Sequence, residues 1–175
     1  MDLETVRFNL RDLFLVLLAM VGSVYFCSGT LANSDPLWFL PFFNETPQSI
    51  VVYRDGCRVT MTPEQPGFDD LTLALNEALS QIEGYDPTYG LELDSLREYR
   101  EKQRALEVTF AKRIKIHVAY RFGDPDTLFI PLTGPFGETR SVFGGHAGEY
   151  WSSALRLKSN ANLRRAAEAI VCQTR

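Results

Sequence analysis

The apolar and polar positions of this chain fall into three regimes. From Leu13 to Ser34 no residue is charged. A helix of that length, about 22 residues, reaches about 33 Å, enough to cross a hydrocarbon core of about 30 Å. Apolar character on every side of so long a stretch is the pattern of a membrane span rather than of a core helix. The segment that follows, "DPLWFLPFFNETP" (35–47), carries a knot of aromatic residues around a proline. Beyond it, from residue 48, the pattern changes to short alternating runs and helical stripes.

In this third regime "SIVVYRDGCRVTMTP" predicts a β-hairpin, with Ile50–Tyr53 and Cys57–Met61 flanking an Asp55-Gly56 turn. Phe68, Leu71, Leu75, Ala78, Leu79 and Ile82 recur at three- and four-residue steps, so a helix is expected over about 68–83 with Gly84 as its stop. A second helix is expected from Ser95, where Ser95 and Glu98 have the spacing of a capping box. In "LEVTF", "IKIHVAY" and "LFIPL" apolar residues alternate. Matching apolar with apolar pairs Phe110 with Ile114, Val108 with Ile116 and Leu106 with Val118, then Tyr120 with Leu128, Val118 with Ile130 and Ile116 with Leu132. That predicts a three-strand meander. Pro131 lacks an N–H, which places its strand at an edge or at a bulge. "TRSVFGG" and "EYWSSALRL" read as two further strands. Asn160 then caps a last helix with the stripe Leu163, Ala167, Ile170 and Val171. Hairpins and helices in separate runs predict an α+β fold: an antiparallel sheet, hairpin plus meander, with about three helices on one face.

Four regions follow: a tail at 1–12, a transmembrane anchor at 13–34, an aromatic juxtamembrane segment at 35–47 and an α+β domain at 48–175. Two readings of the apolar run compete. A cleaved export signal would use Thr30-Leu31-Ala32 as its cut, but Asp2, Glu4 and Asp12 offset Arg7 and Arg11 in the n-region, and the run is long for a signal. An uncleaved single-pass signal-anchor is favoured. Cys27 follows bulky Phe26, where a lipoprotein site requires a small residue, so packing within the span is preferred to lipidation. Arg7 and Arg11 precede the span and the next basic residue is Arg54, which orients the N-terminus to the cytoplasm and the domain outside the cell membrane. Trp38, Phe39, Phe42 and Phe43 then fall at the membrane interface, where aromatic rings settle. The rival placement docks them into the domain or a partner.

Charge and chemistry change the picture little. A formal net charge of −4 argues against a nucleic-acid partner, which needs a concentrated basic face. Cys57 and Cys172 are the cysteines beyond the span, and outside the cytoplasm an even pair reads as a disulfide. Two separately buried thiols are the competing reading. Four residues are weak catalytic candidates. His117 lies on the polar face of the predicted middle strand, and the register above puts Glu107 opposite it; a solvated sheet face is the plainer reading of that pair. His146, with Glu149 near it, lies in "FGGHAGEYW", which also reads simply as a tight turn. Neither histidine has metal-ligand spacing, and the chain carries no nucleotide-binding or nucleophile-elbow motif, so no metal and no cofactor is expected. The expected function is a non-enzymatic, membrane-anchored interaction or structural domain, with the lipid bilayer and another membrane or envelope protein as partners. The alternative is a membrane-tethered enzyme or ligand-binding domain acting on an envelope component.

Overall fold

A computed structural model describes residues 9–40 and 42–172. Asp2, Glu4 and Arg7, which entered the signal and orientation readings, lie outside the described residues, as does most of the expected tail. The elements are α1 (Leu10–Asn33), β1 (Ser49–Arg54), β2 (Cys57–Met61), α2 (Phe68–Leu79), β3 (Ile82–Asp86), α3 (Leu93–Lys102), β4 (Arg104–Thr109), β5 (Thr127–Pro131), α4 (Gly134–Glu138), β6 (Ser141–His146), β7 (Glu149–Leu157) and α5 (Ala161–Ala169). The seven strands form one antiparallel sheet in the order β2-β1-β4-β5-β6-β7-β3, so the fold is α+β.

Helix α1 is long and apolar enough to cross a membrane, with a mean hydropathy of 2.0 in its most apolar window and none of that window buried by the protein. It ends where Ser34 turns left-handed (φ 51°), and the Asp35 N–H bonds back to the Thr30 carbonyl. The chain then doubles back: Trp38 packs edge-on against Tyr25, and Phe39 against Phe26. Phe43 does the opposite. It is buried against Phe110 in the domain, with its N–H on the Ser80 hydroxyl, while Phe42 stays exposed. The aromatic segment is therefore divided: two rings go to the helix, one to the domain core, and Phe42 to neither. Phe43→Leu should lower domain stability by about 1 kcal/mol and Phe42→Leu by under about 0.5, which thermal melts of the two variants would check.

The sheet is covered on both faces, not one as the sequence suggested. Ile50, Val52, Leu106, Val108, Leu128, Ile130 and Leu155 meet α2 and α5 in the larger core. Val51, Tyr53, Ala105, Phe129, Phe143 and Ala154 point the other way, into a second core closed by α3 and α4. Phe129 stands between Leu128 and Ile130, two of the alternating residues expected in the core, and both it and Phe143 of β6 are fully buried.

The expected meander is not formed. β4 pairs directly with β5, Val108 opposite Leu128 and Leu106 opposite Ile130. Residues 114–120 lie in an extended segment outside the sheet. Ile114, Ile116 and Val118 are buried at alternate positions all the same, because the segment lies on the apolar floor of the larger core. Period-two burial here reports an extended chain over a hydrophobic surface and not a ladder. Pro131 is neither at an edge nor at a bulge. It ends an inner strand, opposite Ala105 on one side and beyond the last β5–β6 pair, Phe129–Phe143, on the other, so its missing N–H is not required.

Three helix boundaries also differ. α2 stops at Leu79, and Ile82 and Gly84 belong to β3, because pairing with Leu157 and Arg156 of β7 takes the chain over. α3 starts two residues before Ser95, so Ser95 is inside the helix and caps nothing. Asn160 stands at the N-cap of α5 but sends its amide to the Gly137 carbonyl (3.2 Å), and Val171 lies past the end of the helix, 75% exposed.

Candidate functional site

The four candidate residues fall in three places. Glu107 is at the centre of β4, facing the second core. The Tyr53 hydroxyl donates to its Oε2 (2.7 Å), and the Tyr150 hydroxyl (2.8 Å) and Arg100 Nη2 (2.7 Å) donate to its Oε1. The positions follow from the fold. Tyr53 is two residues along β1 from the residue opposite Glu107, Tyr150 comes from β7, and α3 carries Arg100 over the sheet. The carboxylate is 16% exposed. Burial alone would raise its pKa, but the hydrogen bonds from Tyr53, Tyr150 and Arg100 outweigh that and hold it below the ordinary glutamate range. Burial, reinforced by the Glu107 charge, pushes the Tyr53 hydroxyl up to about 12 and Tyr150 further.

These shifts set an alkaline limit. Unfolded tyrosines ionise near pH 10. Between there and about pH 12 the folded chain keeps the Tyr53 proton that the unfolded chain has lost. Stability is therefore full below about pH 10 and falls as pH rises through that window. Melting temperature measured against pH should drop above about pH 10, and the drop should be shallower in Tyr53→Phe.

His117 does not face Glu107. The 114–120 segment carries it to the end of α1, where Nδ1 donates to Asp35 Oδ2 at 2.7 Å. Asp35 is 3% exposed, and its Oδ1 accepts the Leu37 N–H. Two residues earlier Lys115 Nζ reaches the Ser34 carbonyl (2.7 Å). Lys115 and His117 thus fasten the start of the juxtamembrane segment to the domain, and the expected cross-strand pairing of His117 with Glu107 is not formed. His146 ends β6, paired across a two-residue turn with Glu149. Ala147 and Gly148 both have positive φ (53° and 86°), the geometry of a type I′ hairpin. His146 Nδ1 donates to Asp126, and Arg113 approaches Nε2 at 3.3 Å. The Glu107, His117 and His146 side chains share no hydrogen-bond partner among the described residues.

Cys57 and Cys172 are bonded, with Cα atoms 6.2 Å apart, so the disulfide reading holds and the two-thiol reading falls. Cys27 is a free, exposed cysteine on α1. Among the described residues no group of histidine, cysteine or acidic side chains is arranged to hold a metal ion.

One concave surface lies apart from all of these residues. A groove of about 980 Å³ runs between α2, α5 and β2, lined by Val59, Met61, Leu73, Ala74, Ala169 and Val171 among others. Leu73 is 70% exposed there. Sequence reading missed the groove because it counted Val171 as core and gave Leu73 no place. Tyr53, Tyr150 and Asp35 were missed because each meets its partner across 43 residues or more, and Arg100, seven residues from Glu107, because α3 folds back over a sheet face expected to be solvated.

Comparison with protein-family models, with curated proteins and with solved structures finds no match to this chain.

Proposed function

We propose that this protein is a single-pass membrane protein whose disulfide-bonded α+β domain stands outside the cytoplasm and binds another membrane or envelope protein without catalysing a reaction. The observation that carries the reading is the groove. The domain offers an open apolar surface beside an unpaired sheet edge, while Glu107, His117 and His146 are each engaged by other side chains at separate places. A long apolar helix that the domain leaves uncovered supports the anchor, as does the disulfide for an oxidising compartment. Trp38 and Phe39, folded back on the last turns of α1, suit the outer interface. Arg11 ahead of the span suits a cytoplasmic N-terminus.

The test has two arms. A reporter fused after Arg175 should be active only outside the cytoplasm, and the chain should stay in membranes washed at alkaline pH. A mature chain beginning near Asn33 would overturn the anchor. Chemical cross-linking of the full chain in its own membranes, followed by extraction in mild detergent, should give a discrete larger species. Its absence would overturn the interaction role.

A further inference from the structure

We infer that β2 receives an extended segment of the partner protein as an added strand, with apolar side chains of that segment entering the α2–α5 groove and an acidic one meeting Arg58; this rests on the interaction reading above. β2 is an edge strand, bonded among the described residues only to β1. The turn between them has positive φ at both Asp55 (51°) and Gly56 (86°), which makes it type I′. Such a turn closes with a bond between the residues that flank it, here Arg54 and Cys57. Antiparallel pairs then alternate, so Val59 and Met61 bond to β1 while the N–H and C=O of Arg58 and Thr60 point away from it. Neither residue has another backbone partner among the described residues.

The two edges of the sheet are treated differently. β3, at the far edge, is blunted: its register slips between Ile82 and Gly84, and the residue at the slip is the charged Glu83, ion-paired with Arg140 and Arg156. These are devices that stop a strand from recruiting another. β2 has none of them. Its five pairs run without a shift, it contains no proline, and its one charged residue, Arg58, lies over the Tyr53 ring (6.0 Å).

The faces of β2 specify the occupant. Val59 and Met61 point into the groove, so an added strand places every second side chain beside them, against Leu73 and Val171. Arg58 and Thr60 point to the other face. The Arg58 guanidinium has no carboxylate partner among the described residues, which favours an acidic residue in the strand beside it. The site is also preorganised. The Cys57–Cys172 bond joins β2 to the chain just past α5, so two walls of the groove are tied together before anything binds.

A synthetic peptide of about ten residues alternating valine and glutamate, long enough for one strand, is the probe. Added to the full chain in detergent, it should slow amide exchange across Cys57–Met61 and not across β3. A valine–lysine peptide should bind about tenfold more weakly or worse. Thr60→Pro removes an outward N–H and no bond to β1, and it should weaken binding by about tenfold or more. Leu73→Glu, at an exposed position that the fold does not need, should do the same. Unchanged exchange across Cys57–Met61 would overturn the inference, as would equal binding of the lysine peptide. So would slow exchange that needs only a higher protein concentration, because a second copy would then occupy the edge. If the cross-linked species forms in wild type and persists in Thr60→Pro, this inference fails and the interaction role stands. If wild type gives no such species, it is the interaction role that fails.

Discussion

Glu107→Ala is expected to destabilise the domain by about 3 kcal/mol, lowering its melting temperature by roughly 10 °C. Three donors converge on this one carboxylate: Arg100, Tyr53 and Tyr150. Removing it leaves a guanidinium and two hydroxyls against an apolar core, and a buried donor stripped of its acceptor loses about 1–3 kcal/mol. Water reaches part of the site, since the Arg100 side chain is 36% exposed, so the figure is below the sum of three losses. Glu107→Gln should fall between Ala and wild type, because an amide oxygen still accepts but the charge is gone. The pH dependence has a definite sign. The folded pKa of Glu107 lies below its unfolded value, so its contribution is full above about pH 4.5 and is lost as pH falls through the folded value. Wild type and Glu107→Gln should therefore converge in acid. Glu98→Gln, on the exposed side of α3, is the control. A shift for Glu107→Ala no larger than for Glu98→Gln would mean that the cluster is not formed.

Glu107 also shows where the sequence stopped being informative. The pattern around it placed Val108 in the core, and Val108 is fully buried. It then assigned Glu107 to water because a neighbour on a strand points the other way. That inference assumes that one face of the sheet is solvated. Here the opposite face carries Phe129 and Phe143, and α3 closes over it. The hairpin of β1 and β2 was legible because its turn residues demand positive φ and its contacts are local. β6 and β7 were legible for the same reason. The β4–β5 pairing was not, because the 114–120 segment between them alternates as a strand does. Alternation records which side chains touch the core, and it cannot say whether the backbone is bonded to a neighbour. The Asp35–His117 contact spans 82 residues and has no periodic signal at all.

Breaking the Cys57–Cys172 bond is expected to have an effect of similar or greater size. The bond closes a loop of 115 residues, which takes in all of the sheet beyond β1 and all four helices that follow α1. In the chain-entropy account, closing a loop that long restricts the unfolded ensemble by about 5 kcal/mol at 25 °C; losses on removing native disulfides run about 2–5 kcal/mol. The native state should change little, because no element depends on the bond for its backbone pairing: β2 is held by β1, and α5 by its own packing against α2. The loss should thus appear mainly as easier unfolding rather than as an altered fold. Cys172→Ala, or reduction of the wild type, should lower the melting temperature by roughly 10–15 °C. The far-ultraviolet circular dichroism of the folded state should stay the same. The double variant Cys57→Ala/Cys172→Ala should melt with Cys172→Ala, since either change removes the same cross-link. Reduced wild type should also migrate more slowly than oxidised wild type on a denaturing gel, because the unfolded chain is no longer looped. A wild-type melt that reductant leaves in place, or a mobility that it leaves unchanged, would mean that the two thiols are not joined, and the groove would lose the tie between its walls.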